Sequence, residues 1–161
     1  MSAQKVVYPG SFDPFTVGHL DVVERGLKLF GSVVILVAGS ASKSCLFDPE
    51  KRVELIEQST SHLEGVEVVA WSGLTTDYMK ENGLATIIRG MRATSDFDHE
   101  FTMAAMNRDL LKGLETVVMM SSRELFFISS TMVKEVWKFG GSIDHYVPDP
   151  VAQALEEKRN S

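Results

Sequence analysis

Five short apolar runs alternate with amphipathic stretches along this chain. The run from Val33 to Ala38 is apolar throughout, as in strands that are buried on both faces of a sheet. Alternation of strands and helices is typical of a parallel sheet that carries helices on both faces, so the pattern predicts an α/β fold. The predicted strands are Val6–Tyr8, Val33–Ala38, Val66–Ala70, Ala85–Ile88 and Thr116–Met120.

Helix boundaries are also marked in the sequence. The first helical stretch carries an apolar stripe from Val17 to Phe30 and ends at Gly31. Asp48-Pro49 and Asp149-Pro150 each predict a helix start, because Asp is a good N-cap and Pro suits the first turn. Further helices are predicted between Gly73 and Gly83, over residues 98–111, and from Ser129 to Gly140.

The predicted helix over residues 98–111 is apolar over more than one stripe. Phe97, Phe101 and Ala104 fall on one side, whereas Met103 and Met106 fall on another. An apolar surface this wide indicates contact with two bodies. Two interpretations stay open here: a deeply packed core helix, or a helix at a subunit interface.

Composition narrows the class of protein. The 161 residues fit one domain, 1–161, and carry 16 basic against 22 acidic residues, a net charge of −6. An acidic chain with no basic run is a poor candidate for binding nucleic acid. No stretch approaches the roughly 20 apolar residues of a membrane span. The first strand begins almost at once, without a secretion signal, and the single cysteine, Cys45, cannot form an internal disulfide. A cytoplasmic location without membrane contact is therefore expected.

The stretch from Tyr8 to His19 carries the strongest chemical signal. A strand runs into a loop with two prolines and two glycines, and the loop opens a helix that contains Gly18 and His19. Such a loop directs free backbone N–H groups and the positive end of the helix dipole to one point. This arrangement suits a phosphate, which an imidazole at the helix start can also contact.

Polar residues follow all five predicted strands. In open parallel sheets the carboxyl ends of the strands meet at one edge, where ligands bind. Three cations, an imidazole and several hydroxyls at that edge suit a ligand with several phosphates. These residues are Ser11, His19, Lys43, Leu74, Thr75, Arg89, Arg92, Ser129, Ser130 and Thr131.

Each of these residues also has an ordinary structural explanation. Lone lysines and arginines are usually solvated, and Ser-Ser-Thr before a helix is more often a simple cap. His99 is interpreted as a surface residue, and His62 and His145 receive no role. Cys and His spacings of a metal site are absent, as is a Walker-type loop, so no protein-held metal is predicted. The agreement of five loops favours the phosphate site.

Two motifs connect the chain to a known superfamily. Thr16-Val17-Gly18-His19 resembles the T/H-x-G-H motif of the nucleotidyltransferases related to class I tRNA synthetases, and Ile128–Thr131 resembles their second motif, I-S-S-[ST]. Further stretches narrow the resemblance to the bacterial phosphopantetheine adenylyltransferases, over nearly the whole chain. Those stretches are Tyr8–Pro14, Ser42-Lys43, Ile88–Arg92, Asp96–Phe101 and Met106-Asn107.

This resemblance implies a Rossmann-like, doubly wound five-stranded sheet and a homohexamer. It also implies transfer of AMP from ATP to 4′-phosphopantetheine, which yields dephospho-coenzyme A and pyrophosphate during coenzyme A synthesis. The implied cofactor is Mg²⁺, and coenzyme A is the implied feedback ligand. A direct in-line attack without a covalent enzyme intermediate is expected.

The resemblance also assigns residues. It implies that His19, Lys43 and Arg92 are catalytic. The implied ATP-binding residues are Ser11, Phe12, His19, Gly90, Met91, Arg92, Glu100, Leu125, Phe126, Phe127, Ile128, Ser129, Ser130 and Thr131. The implied acceptor-binding residues are Ser11, Lys43, Leu74, Thr75, Arg89 and Asn107.

Two other functions stay open at this stage. One is a nucleotidyltransferase for another phosphorylated acceptor, such as nicotinate mononucleotide. The other is a regulatory or scaffold protein that binds nucleotides without turnover. The presence of His19, Lys43, Arg89 and Arg92 argues against the second.

Overall fold

The computed structural model describes residues 4–39 and 45–160. Within these ranges the chain alternates strictly between strand and helix up to its last two helices. The elements are β1 (Gln4–Gly10), α1 (Val17–Phe30), β2 (Gly31–Ala38), α2 (Pro49–Thr60), β3 (Val66–Trp71), α3 (Thr75–Glu81), β4 (Thr86–Met91), α4 (Thr94–Leu110), β5 (Glu115–Met120), α5 (Ser130–Lys138) and α6 (Asp149–Arg159).

The five strands form one parallel sheet in the order β3-β2-β1-β4-β5. Strand β1 is central, and Val7 pairs with Val34 on one side and with Ile87 on the other. The chain first builds outward through β2 and β3, then returns to add β4 and β5 on the opposite side. The predicted doubly wound, five-stranded parallel sheet is therefore confirmed. Its switch point lies between β1 and β4, where such sheets bind ligands.

Helices cover both faces of the sheet, because alternate strand residues enter two separate cores. Val6 and Ile35 join a large cluster with residues of α1, α2, α5 and α6. Val7 and Val34 point the other way, into a smaller cluster with Tyr78 of α3 and Leu114. Burial on both faces explains why β2 is apolar from Val33 onward.

Local chemistry sets most helix ends where the sequence predicts them. The Asp48 side chain caps α2 by accepting from the backbone N–H of Lys51 at 2.7 Å. Gly31 ends α1 with a φ of 88°, a left-handed conformation that favours glycine. The predicted Asp149 cap is wrong by one residue, because α6 begins at Asp149 and Pro148 occupies the cap position.

Helix α4 differs most from its prediction. It begins at Thr94, four residues before the predicted start, and within it Glu100 alone is buried. Its apolar side chains face outward beside the edge strand β5, so the core-helix interpretation is wrong for this chain. The exposed apolar residues of α4 and β5 are Phe97, Phe101, Met103, Met106, Leu110, Val118 and Met120.

No helix in residues 4–39 and 45–160 is both long enough and apolar enough to cross a bilayer.

Candidate active site

A cavity of about 370 Å³ opens at the switch point of the sheet. Its size falls within the range of small-molecule sites. The loop between β1 and α1 forms one wall, the end of β4 and the start of α4 form a second, and the approach to α5 forms a third. The lining residues are Tyr8, Pro9, Gly10, Ser11, Phe12, Thr16, Gly18, His19, Val22, Arg89, Gly90, Arg92, Ser95, Asp96, His99, Glu100, Ser121, Leu125, Ile128, Ser129, Ser130 and Thr131.

The imidazole of His19 is oriented by Thr16, the N-cap of α1. The backbone N–H of Thr16 donates to His19 Nδ1 at 3.0 Å, and Thr16 Oγ1 lies 3.1 Å from the same nitrogen. In return, Thr16 Oγ1 accepts from the backbone N–H of His19 at 3.3 Å. This is a capping box with histidine in the position usually held by Glu or Gln. Because Nδ1 accepts, the ring proton belongs on Nε2, which leaves an N–H donor for a ligand.

Three aromatic rings surround His19. The Phe12 ring meets it edge-on at a centroid distance of 5.1 Å, Phe15 stacks at 5.5 Å, and Tyr8 lies at 6.3 Å. Burial lowers the pKa of His19 to about 3, and the charges of Arg92 and Arg89 act in the same direction. The imidazole is therefore neutral at physiological pH. It can donate a hydrogen bond to an anion, but it carries no positive charge of its own.

Arg89 and Glu100 form a partly buried, bidentate ion pair in the lining of the cavity. Arg89 Nε and Nη2 each donate to a Glu100 carboxylate oxygen at 2.7 Å, and Nη1 donates to the Pro9 carbonyl at 2.6 Å. Although burial opposes its charge, the bond to Glu100 keeps the pKa of Arg89 above its ordinary value. The pair fixes the guanidinium between β1 and α4.

Arg92 is a freer cation. Its Nε donates to Asp96 Oδ2 at 3.2 Å, and its backbone N–H donates to the same oxygen at 3.1 Å. Burial opposes the charge of Asp96, but these bonds and the Arg92 charge lower the pKa of that carboxyl overall. The Arg92 side chain is 40% exposed. Nη2 also donates to Asp96 Oδ1 at 3.4 Å, so the guanidinium offers mainly Nη1 to a ligand in the cavity.

The start of α5 closes the third wall. Ser129 caps the helix by accepting from the backbone N–H of Met132 at 3.1 Å, and the Ser130 hydroxyl donates to the Pro14 carbonyl at 2.9 Å. The cap explanation thus holds for Ser129, and Ser130 ties α5 to the loop before α1. Both helix N-termini face the cavity, where their dipoles favour negative charge.

Asp13 connects three parts of this site. Its side chain is 3% exposed and accepts from the backbone N–H groups of Leu46 and Phe47 at 2.9 and 3.1 Å. Lys134 of α5 donates to the same carboxylate at 3.4 Å. The loop that carries Ser11 and Phe12 is therefore held against α5 and against the chain that leads into α2.

Comparisons with known proteins decide the family. Residues 7–136 match the cytidylyltransferase-like family. A phosphopantetheine adenylyltransferase from Picosynechococcus sp. is 50% identical over 149 residues, which cover 92% of this chain and 84% of that protein. One from Synechococcus sp. is 50% identical over 157 residues, covering 98% and 96%. One from Actinobacillus succinogenes is 45% identical over 156 residues, covering 97% of each. This chain belongs to the phosphopantetheine adenylyltransferase family.

A solved structure agrees with the fold of this phosphopantetheine adenylyltransferase family member. A putative nicotinate-nucleotide adenylyltransferase from Vibrio parahaemolyticus superposes with a TM-score of 0.68, covering 96% of this chain and 99% of that one. The two sequences are only 19% identical, so the likeness concerns the fold alone. The resemblance first inferred from the two motifs is confirmed.

The cavity brings together most of the residues that the family resemblance assigns. Their roles remain predictions, but their positions converge at the switch point. The assigned residues in its lining are Ser11, Phe12, His19, Arg89, Gly90, Arg92, Glu100, Leu125, Ile128, Ser129, Ser130 and Thr131.

Other assigned residues lie away from this lining. Leu74 and Thr75 stand at the start of α3, beyond β3 at the far end of the sheet, and Asn107 lies in the last turns of α4.

Phe126 and Phe127 are more than half exposed. Met91 follows Gly90 in β4 but is also outside the lining. Lys43 lies outside the described residues.

Sequence reasoning missed one side of the cavity. Ser95, Asp96 and His99 line it together with the assigned Glu100. His99 is exposed, as predicted, but it stands at the rim of the site. A helix that starts at Thr94 brings residues 95, 96, 99 and 100 to one face by their three-to-four-residue spacing. Because the sequence predicted the helix to start at residue 98, it did not indicate that these four residues share a face.

The described residues do not form a dedicated Mg²⁺ site. The two carboxylates that line the cavity, Asp96 and Glu100, are each bound by an arginine. Across residues 4–39 and 45–160, no group of three or more His, Cys, Asp or Glu side chains is placed to hold a metal ion.

The neutral state of His19 is directly measurable. We expect NMR titration of its ring nitrogens to show no ionisation between pH 5 and 8, with the proton on Nε2, because its pKa is lowered to about 3. In the unfolded chain the pKa of His19 is the ordinary 6.5. Between pH 6.5 and about 3, the unfolded chain therefore binds a proton on this imidazole that the folded chain does not. Acidification through this range therefore destabilises the fold. A midpoint near pH 6.5 would contradict the assigned environment.

Proposed function

We propose that this chain transfers AMP from ATP to 4′-phosphopantetheine, yielding dephospho-coenzyme A and pyrophosphate in coenzyme A synthesis. The observation that carries the proposal is the neutral, fixed Nε2–H donor of His19 beside Arg89 and Arg92 in the switch-point cavity. Family membership at 50% identity over nearly the whole chain supports the acceptor.

The reaction needs no general base on the protein. The acceptor is a phosphate monoester, whose second pKa of about 6 makes it largely a dianion at neutral pH. One of its oxygens attacks the α-phosphorus of ATP, a P–O bond forms, and the bond to the departing pyrophosphate breaks. A neutral imidazole suits this chemistry, because it donates to the charge that builds on the phosphoryl oxygens and removes no proton.

The protein contributes position and electrostatics. We assign His19 Nε2–H to the α-phosphate in the transition state, and the partly exposed guanidinium of Arg92 to the triphosphate. The N-termini of α1 and α5 add their dipoles at the same edge. Direct in-line transfer from ATP to the acceptor follows, without a covalent intermediate.

The acceptor is proposed to bind along the sheet edge from the switch-point cavity toward α3. Arg89, held rigidly by Glu100, and Lys43 would align the attacking phosphate. Tyr78 of α3 and Leu111, next to the end of α4, belong to one buried cluster, so these two helices share a face of the sheet. The pantetheine arm would extend over that side toward the remaining acceptor residues assigned by resemblance, which are Leu74, Thr75 and Asn107.

Mg²⁺ is proposed as a companion of ATP, held by phosphates and water, since the cavity carboxylates are occupied by arginines. When bound, it would offset triphosphate charge. Coenzyme A is proposed as a feedback ligand of the same cavity, and a cytoplasmic location is proposed from the metabolic role.

A homohexamer is proposed as the working assembly. The exposed apolar face of α4 and the unpaired edge of β5 support it, because such surfaces are normally covered by another chain.

Disrupting this face should dissociate the assembly. We expect Met106→Glu to lower the mass measured by light scattering, because a charge would then be buried in the interface. Leu29→Glu is the matched control, since Leu29 is an exposed leucine on α1. A monomeric parent chain at micromolar concentration would refute the assembly.

An assay of pyrophosphate release with a panel of acceptors tests the function. We expect release that depends on 4′-phosphopantetheine. Release with nicotinate mononucleotide instead would reassign the acceptor. Tight ATP binding with no release for any acceptor would favour a regulatory protein.

A further inference from the structure

Arg52 is the largest fully buried side chain of the described residues, and the proposed reaction gives it no role. It lies in α2 with 2% of its surface exposed and is not among the residues that line the cavity. Fully buried arginines are rare unless they are paired. Its contacts therefore require an explanation.

Within the described part of the chain, the Arg52 guanidinium donates to three backbone carbonyls. Nη1 donates to Ser11 at 2.5 Å and to Ala38 at 3.1 Å, and Nε reaches the Asp48 carbonyl at 3.4 Å. Among residues 4–39 and 45–160, no carboxylate pairs with it. One buried cation thus joins the loop after β1, the end of β2 and the start of α2.

The bond to Ser11 fixes a peptide group of the cavity wall. In a trans peptide the C=O and the following N–H point in opposite directions. Since the Ser11 carbonyl points into the protein toward Arg52, the N–H of Phe12 points to the other side. No acceptor for this N–H occurs in the described part of the chain. Ser11 and Phe12 both line the cavity, so the donor is available to a ligand there.

Phe12 also has an unusual backbone conformation. Its φ is 48°, in the left-handed region that a bulky residue rarely adopts. Such a conformation persists only where surrounding contacts hold it. The Arg52 bond acts on the adjacent carbonyl, and the Phe12 ring packs against His19.

We propose that Arg52 is a positioning residue that holds the Ser11–Phe12 peptide, so that the Phe12 N–H donates to a phosphate of the nucleotide. The expected decrease in kcat rests on the proposed function. The expected decrease in ATP affinity does not, because it can be measured without turnover. The buried charge additionally favours an anion beyond the loop, because no carboxylate of the described residues neutralises it.

The test compares Arg52→Met with Arg52→Lys in the full chain. For folded Arg52→Met we expect kcat to fall by on the order of 10- to 100-fold, the scale of a misplaced reacting group. ATP affinity measured by calorimetry should weaken by about tenfold, the value of one lost donor to a charged group. Arg52→Lys should recover part of the kcat and part of the ATP affinity. Lysine keeps the positive charge and one donor group but lacks the planar guanidinium.

Arg159→Met is the control for a helix arginine outside the site. Arg159 also donates to two backbone carbonyls, those of Trp137 and Gly141, remote from the cavity, although its side chain is 33% exposed and also pairs with Glu156. It should lower Tm without changing kcat or ATP affinity. If folded Arg52→Met lowers Tm alone, Arg52 is merely structural and the proposal fails. If Arg52→Met does not fold, kcat and ATP affinity are measured on Arg52→Lys instead, and parent values for both would overturn the proposal.

The two proposals fail in different ways. A parent chain that releases no pyrophosphate overturns the function, and ATP affinity then decides the role of Arg52. A parent chain that turns over, with variants that match its kcat and its ATP affinity, overturns the role of Arg52 alone.

Discussion

His19→Ala is expected to lower kcat by on the order of 10²–10³-fold, the effect of removing one preorganised donor to a developing charge. The reason lies in the geometry. The imidazole is fixed by Thr16, packed among aromatic rings and neutral, so its Nε2–H needs no reorganisation when the phosphoryl group is transferred.

The substitution also removes the His19 side chain from the capping box of α1. A decrease in kcat must therefore be distinguished from a decrease in stability. His19→Gln is the suitable second variant, because Gln at this position restores the box but moves the donor. We expect it to keep the stability of the parent while kcat stays low. His62→Ala, which changes an exposed histidine outside the cavity lining, is the control that should change kcat little. A decrease of less than about threefold for His19→Ala would contradict the transition-state role.

Arg89→Met is expected to have the second largest effect, on both stability and rate. It leaves the buried carboxylate of Glu100 without its partner, and breaking such a pair typically costs about 3–5 kcal/mol in the free energy of unfolding. It also turns a neutral ion pair into a net negative charge at the floor of the cavity, which repels phosphates. Chemical denaturation and steady-state kinetics measure the two effects.

The double variant Arg89→Met/Glu100→Leu separates them. Removing both charges should restore most of the stability, because apolar replacement of a buried pair is often neutral. Activity should stay low, since the guanidinium that is proposed to align the acceptor is absent. Arg108→Met is the control for the loss of an ion pair, because Arg108 and Glu115 are both more than half exposed and such pairs contribute about 0–1 kcal/mol. Full recovery of activity in the double variant would show that Arg89 is only structural.

Much of this fold is predictable, because the strand pattern alone limits the topology. Runs such as Val33–Ala38 are apolar throughout since they are buried on both faces, and parallel connections place their carboxyl ends together. His19 and Arg92 come after strand ends in the chain and Arg89 lies in the last half of β4, so sequence order was enough to assign all three to one edge. The wide apolar face of α4 was recognised, but whether it faced the core or solvent depended on tertiary packing.

Three-dimensional contacts account for what the sequence could not predict. Arg52 occurs in an amphipathic helix among charged neighbours, where an arginine is normally solvated, and only the folded chain brings the Ser11 and Ala38 carbonyls to it. The low pKa of His19 likewise results from burial and from two arginines distant in sequence. Thr16 and His19 have the spacing of a capping box, but histidine is not the residue that the motif predicts.

The most direct test of this account is mass spectrometry of the product formed from ATP and 4′-phosphopantetheine. We expect dephospho-coenzyme A, formed in equal amount to pyrophosphate, with far less product from an equal concentration of folded His19→Gln. Pyrophosphate without an adenylylated acceptor, or a product that forms equally well with folded His19→Gln, would contradict the proposed transfer.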